Sequence, residues 1–264
     1  MSAPRARPVL VTIPFSHYCE KARWALDRAG IDYEERAYAP GVHRVGTRRV
    51  GGGSVPVLVL PRDDRAGGAE TAIRDSTDIL AWVDARAPKA GLYGDDEAKR
   101  GQILALEDRF DVDLGPATRR VAYFHLLGDA RSSVKLMTRT LSRPAALLFR
   151  VAFPALRIVM RRVMRVDREG ERRSLVKVRA VFSEVAARLA DGRRYLVGDR
   201  LSAADITFAA LATPVLAPPE VKQLPAPADV PASFLDVIAE MRATPAGAFA
   251  LRVYREERAA IALS

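Results

Sequence analysis

The first ninety residues combine short apolar runs with a helical period. Two runs of β-branched and apolar residues are typical of buried strands, and a third segment alternates apolar and polar residues as a half-buried strand does. The predicted elements are strand Pro8–Ile13, helix Ser16–Ala29, strand Ile31–Tyr38, a loop at His43–Ser54, strand Val55–Leu60, a turn at Asp63–Gly68, strand Glu70–Arg74 and helix Ser76–Arg86. The order β-α-β followed by β-β-α predicts a small α/β domain with a mixed sheet.

Beyond Asp95 nearly every apolar pattern has a helical period, so the second part of the chain is predicted to be all helical. Leu201–Ile206 predicts a capping box in which Ser202 and Asp205 bind each other's backbone amides. The proline-rich stretch Ala217–Pro231 predicts an irregular crossing. The predicted helices are Glu97–Leu127, Ser132–Met137, Ala145–Val166, Glu171–Ala190, Ala203–Val215 and Ala232–Arg242. We therefore expect two domains, 1–88 and 95–264, joined by a short linker.

Composition limits the kinds of site and partner that the chain can have. Cys19 is the single cysteine of the chain, which excludes an internal disulfide and a cysteine-based zinc site, and three scattered histidines favour no metal site. No secretory signal is recognised at the start, so we expect a cytoplasmic protein. The net charge of +10 is explained by an Arg-rich and Ala-rich composition or by an anionic partner, but no nucleic-acid motif accompanies it, and no nucleic acid is expected.

One segment, 143–168, combines many arginines with a wide apolar arc. Six arginines fall within about 80° of one helical face, and Pro154 is expected to kink the helix. The charges exclude a membrane span. We expect the apolar arc of Ala145–Met164 to pack within the helical domain or across a homodimer interface, with the arginines facing water. Contact with a membrane surface is the alternative.

Four motifs occur in a fixed order along the chain. They are Ser16-x-x-Cys19 at a helix start, Val55-Pro56 at a strand start, Asp75-Ser76 at a helix start, and Gly198-Asp199-x-Leu201-Ser202-x-Ala204-Asp205 before a buried helix. Together they resemble the cytosolic glutathione S-transferase superfamily over nearly the whole chain. The resemblance implies a thioredoxin-like N-terminal domain that binds a thiol and an all-α C-terminal domain that holds a second-substrate site.

The resemblance also implies roles for these residues. Ser16 would donate a hydrogen bond to the sulfur of glutathione, the co-substrate, and a cis Pro56 would expose the backbone of Val55 to its cysteinyl part. Asp75 and Ser76 would hold the γ-glutamyl end. For Ser16, and for Asp75 with Ser76, plain helix capping is the alternative. Cys19 would be catalytic only if its thiol were accessible, and a buried small residue is the alternative.

These residues leave three functions open. The leading one is a dimeric transferase that joins glutathione, or a related low-molecular-weight thiol, to a hydrophobic electrophile without a metal. The second is a non-catalytic protein of the same fold that binds a ligand, a membrane surface or a protein partner. The third is a thiol transferase that depends on Cys19. Because one fold serves many roles, the fold alone does not decide among them.

Overall fold

The structure is a computed structural model that describes residues 7–48, 52–61, 71–94, 96–138 and 141–261. The chain divides into two compact units, 1–92 and 93–264. The predicted turn at Asp63–Gly68 and part of the predicted loop lie outside the described residues.

The N-terminal unit is a four-stranded mixed sheet with helices, as predicted. The strands lie in the order β2-β1-β3-β4, with β1 and β2 parallel and the other two pairs antiparallel. Helices α1 and α3 pack together. The elements are β1 Val9–Thr12, α1 His17–Arg28, β2 Glu34–Ala37, α2 His43–Thr47, β3 Val57–Val59, β4 Ala72–Ile73 and α3 Ser76–Arg86, followed by a 3-10 turn at Pro88–Ala90.

The C-terminal unit is helical, and the described residues beyond 95 contain no strand, as predicted. Its centre is α9, which is buried on every side from Ala203 to Thr213. The Phe208 ring lies at 5.3 Å from that of Phe110 and at 5.4 Å from that of Phe182, measured between centroids. The helices are α4 Glu97–Arg109, α5 Gly115–Gly128, α6 Ala130–Thr138, α7 Arg143–Val163, α8 Arg168–Arg188, α9 Ala203–Leu216, α10 Ala232–Arg242, α11 Pro245–Val253 and α12 Ala259–Ile261.

The predicted capping box begins α9. The Ser202 N–H and the Ser202 hydroxyl both donate to Asp205 Oδ2, at 2.8 and 2.7 Å. Asp205 Oδ1 also accepts the Leu196 N–H at 2.8 Å, which ties the preceding loop to the helix start. The carboxylate is completely buried, and desolvation raises its pKa from 3.8 to about 6.

Several sequence predictions are wrong in detail. Strand β2 is not half-buried, because all four of its residues are exposed on the sheet edge. The loop predicted from His43 contains the short helix α2. The single helix predicted over Glu97–Leu127 is interrupted by a π-helical turn at Phe110–Leu114, and no helix was predicted after Arg242, where α11 and α12 lie.

The expectation that the apolar arc of α7 packs within the helical domain is wrong, while the alternative, a homodimer interface, stays a prediction. Phe149 and Phe153 are buried against the unit, but most large apolar side chains of α7 are exposed rather than packed within it. Helix α7 continues through Pro154. Among the described residues, no helix has the length and apolar character that crossing a bilayer requires.

Candidate active site at one end of the sheet

The chain leaves β1 and enters α1 through a tight turn that positions Ser16. The Ser16 N–H donates to the Ile13 carbonyl at 3.0 Å, and the Ser16 hydroxyl oxygen accepts the Cys19 N–H at 3.4 Å. Ser16 is therefore the N-cap of α1. That hydroxyl also carries one hydrogen, which it can donate either to the Cys19 thiol beneath it or to a bound group. Ser16 is half-buried, so the hydroxyl lies close to the surface of the unit.

Cys19 lies one turn further along α1 and is completely buried. Burial raises the pKa of its thiol, although the charge of Arg23 and the hydrogen bond with Ser16 act in the opposite direction. A buried thiol with a raised pKa forms little thiolate at neutral pH. The accessible Cys19 that a thiol transferase requires is therefore not found in this structure.

The chain enters β3 through Val55 and Pro56. The Val55–Pro56 peptide bond is cis, as predicted. Val55 precedes the paired part of β3 and is half-buried, whereas Pro56 is buried. Among the residues that the structure describes, no backbone partner is found for the N–H or the C=O of Val55. Both groups are thus available to an added extended segment.

Helix α3 begins with Asp75 as its N-cap. One Asp75 carboxylate oxygen accepts the Thr77 N–H at 2.7 Å, which leaves the other oxygen free to accept from elsewhere. Ser76 is the first helical residue and is 4% exposed. The first amides of a helix have no partner within it and favour a negative charge. The start of α3 can therefore hold a carboxylate.

The register of the sheet brings these three segments together. Strands β1 and β3 are antiparallel with Val11 opposite Val57, and β3 and β4 are antiparallel with Leu58 opposite Ile73. Because β1 ends at Thr12, β3 begins at Val57 and β4 ends at Ile73, the residues after β1, before β3 and after β4 all leave the sheet at the same end. The start of α1, the start of β3 and the start of α3 thus lie at the same end of the sheet.

Buried charges beneath this end of the sheet were not predicted. Arg23 is 4% exposed, and its guanidinium binds Glu35 at 2.8 Å and Glu20 at 3.4 Å. Thr12 Oγ1 donates to the same Glu35 oxygen at 2.6 Å, so the network joins α1 to both β1 and β2. The Glu20–Arg23 pair is an i,i+3 pair on α1, which helical spacing could have indicated, whereas the pairing of Arg23 with Glu35 follows from tertiary packing.

A second unpredicted contact ties α1 directly to α3. The buried ammonium of Lys21 donates to Thr77 Oγ1 at 2.9 Å. It fixes the start of α3 relative to α1, and hence Ser76 relative to Ser16. Within the described part of the chain, no three His, Cys, Asp or Glu side chains are grouped so as to hold a metal ion.

Comparison with known proteins agrees with this architecture. A family model described as the glutathione S-transferase N-terminal domain matches residues 10–91, and one described as the glutathione S-transferase C-terminal domain matches residues 168–224. Together they span more than half of the chain. No match is found among curated proteins.

Solved structures of similar fold cover almost the whole chain. A glutathione S-transferase from Methylobacterium radiotolerans, in complex with glutathione sulfonate, has a TM-score of 0.52 at 20% identity and covers 93% of this chain and 95% of its own. A glutathione transferase family member from Pseudomonas fluorescens, with two glutathione bound, has a TM-score of 0.55 at 16% identity and covers 93% and 92%. A maleylacetoacetate isomerase from Anaeromyxobacter dehalogenans, with dicarboxyethyl glutathione and citrate in its active site, has a TM-score of 0.51 at 18% identity and covers 95% and 93%.

Proposed function

Because the chain belongs to the glutathione S-transferase superfamily, we propose that it binds glutathione at this end of the sheet and joins it to a hydrophobic electrophile. The observation that supports the proposal is that Ser16, Val55 and Ser76 lie on segments that leave the same end of the sheet. A related low-molecular-weight thiol offers the same groups and is included in the proposal.

The three positions match the three parts of the tripeptide. The free backbone N–H and C=O of Val55 would pair with the cysteinyl residue as an added strand does. The amides at the start of α3 and the Ser76 hydroxyl would bind the γ-glutamyl carboxylate. The Asp75 carboxylate oxygen that is not bound to Thr77 would pair with the γ-glutamyl ammonium. This arrangement directs the thiol towards the start of α1.

Ser16 would then act on the sulfur. Its hydroxyl would turn its hydrogen from the Cys19 thiol to the bound thiolate, because a charged sulfur is the stronger acceptor and the positive end of α1 also favours it. The thiolate would attack the electrophilic carbon and form a C–S bond, while the leaving group departs with its electron pair or an activated double bond takes up the charge. Holding the thiolate beside the electrophile would supply most of the rate gain.

Steady-state kinetics with glutathione and a chlorodinitroarene test this role of Ser16. A hydrogen bond to a charged sulfur is worth about 1.5–3 kcal/mol, so Ser16→Ala is expected to lower kcat/KM by about 10- to 100-fold. Cys19→Ala is expected to have a smaller effect on kcat/KM, because its buried thiol does not reach the substrate. Loss of activity in Cys19→Ala but not in Ser16→Ala would replace this proposal with the thiol-transferase mechanism.

A further inference from the structure

Helix α7 presents an apolar face to solvent. Six of the eleven strongly exposed large apolar side chains among the described residues lie on this one helix, and each is between 54% and 77% exposed. At 100° per residue they span about 160° of the helix circumference. Their combined area is on the order of the largest patches of ordinary monomers, roughly 300–600 Å². The six residues are Leu147, Leu148, Val151, Ile158, Val159 and Val163.

The opposite face of α7 attaches the helix to its unit. Phe149 and Phe153 are buried, and their rings lie 5.9 Å apart between centroids. The guanidinium of Arg157 donates to the Gly128 carbonyl at 3.3 Å. The exposed apolar face is therefore held outward by contacts on the other side of the helix.

The charge around this face has one sign. From residue 130 to residue 166 the sequence holds nine lysines and arginines and no aspartate or glutamate. Arg143, Arg150 and Arg161 lie about 40–60° beyond Leu147 on one side of the exposed apolar face, and Arg162 lies within that face, between Val151 and Leu148. Arg143, Arg150 and Arg162 are exposed and have no ion-pair partner among the described residues.

A second copy of the chain is a poor occupant for this face. In a two-fold symmetric contact the same surface meets itself, so Arg162, which lies within the apolar face, would be buried against the apolar face of the second copy. No acidic residue of the segment is present to neutralise it. An anionic lipid surface fits both the apolar face and the arginines of α7. Its acyl chains cover the apolar face, and its phosphates pair with the arginines.

We infer that α7 is an interfacial helix that docks the protein reversibly on an anionic phospholipid bilayer. The helix lies parallel to the membrane, with Leu148, Val151 and Val159 inserted at the boundary between headgroups and acyl chains. Arg162, which lies within the apolar face, and Arg143, at its edge, bind lipid phosphates. Because the site at the end of the sheet takes no part, this inference is independent of the proposed function.

Partition of the full chain onto vesicles tests the inference. Phosphatidylcholine vesicles with and without an equal share of phosphatidylglycerol are compared by sedimentation at low and high salt. The anionic vesicles are expected to bind the protein at least about tenfold more strongly at low salt, and high salt should remove most of that difference. Equal binding to both vesicles would overturn the inference.

Two matched pairs of variants locate the contact. Leu148→Gln with Val159→Gln removes apolar surface from α7 at positions 71% and 55% exposed, and binding to anionic vesicles should fall at least about tenfold. The control pair, Val112→Gln with Val176→Gln, changes side chains of the same unit that are 60% and 57% exposed, and should leave vesicle binding unchanged. Equal binding by both pairs would overturn the inference.

Light scattering without lipid tests the remaining alternative, in which a second copy of the chain covers the apolar face of α7. The wild-type protein and the variant with changes at Leu148 and Val159 are expected to have the same mass in solution. A wild-type dimer that this variant converts to a monomer would assign the face to a second copy of the chain and overturn the inference.

Discussion

Asp205 gives the sharpest prediction for stability. Its buried carboxylate accepts hydrogen bonds from the backbone N–H groups of Leu196 and Ser202 and from the Ser202 hydroxyl. Asp205→Ala leaves both amide donors without an acceptor, and each unsatisfied buried donor costs about 1–3 kcal/mol. We expect a loss of at least about 2 kcal/mol in the free energy of unfolding.

The pH dependence of this loss follows from the pKa of Asp205. Burial raises that pKa from 3.8 to about 6, so the folded protein holds this proton more tightly than the unfolded chain does. The contribution to stability is fully present below about pH 4 and is lost as the pH rises through 6. Because the variant lacks the titrating group, Asp205→Ala should cost about 1.4 kcal/mol more at pH 5 than at pH 8.

Urea unfolding at pH 5 and pH 8, followed by helical circular dichroism, measures the stability loss of Asp205→Ala and its dependence on pH. The matched control is Asp199→Ala, which changes an exposed aspartate in the loop before the same helix and should shift stability by less than about 0.5 kcal/mol at either pH. A cost for Asp205→Ala that is equal at both pH values, or larger at pH 8, would refute the reasoning.

Three further perturbations test the interior of each unit. Cys19, the single thiol of the chain, is buried and has a raised pKa, so iodoacetamide should alkylate it roughly 100-fold more slowly in the native protein than in urea. Equal rates would contradict its burial. Arg23→Met should cost about 3 kcal/mol in unfolding free energy, because it removes the buried cation that binds Glu20 and Glu35. A neutral result would show that the network does not stabilise the fold. Tyr254→Phe removes a buried hydrogen bond of 2.7 Å to Thr213 and should cost about 1 kcal/mol by chemical denaturation, whereas an unchanged midpoint would contradict the bond.

Local signals in the sequence were sufficient for the elements that carry the site. Helix Ser76–Arg86 has the predicted bounds because Asp75 caps it and its apolar residues recur at helical spacing. The sequence also contains a local signal for the start of α11, a helix that is absent from the predicted elements. Thr244, whose side chain accepts the Gly247 N–H, precedes Pro245 and thus marks the start of α11.

Other features depend on tertiary packing and have no local signature. The ion pair between the buried Arg23 and the exposed Glu35 requires β1 and β2 to pair in a particular register. The alternation in Ile31–Tyr38 predicts a strand but not its position at the sheet edge, where both faces of Glu34–Ala37 are exposed. The apolar arc of α7 indicates that something covers it, but a periodic pattern does not identify the occupant.

Calorimetric titration of glutathione tests the central claim most directly. The wild-type protein should bind glutathione, and Ser76→Ala should weaken binding by about tenfold or more, because one hydrogen bond to a carboxylate is worth about 1.5–3 kcal/mol. Ser183→Ala, which changes an exposed serine on α8, should bind as the wild type does. The account predicts this order of affinities. Undetectable binding by the wild type, or equal affinity for Ser76→Ala and Ser183→Ala, would contradict a glutathione site at this end of the sheet.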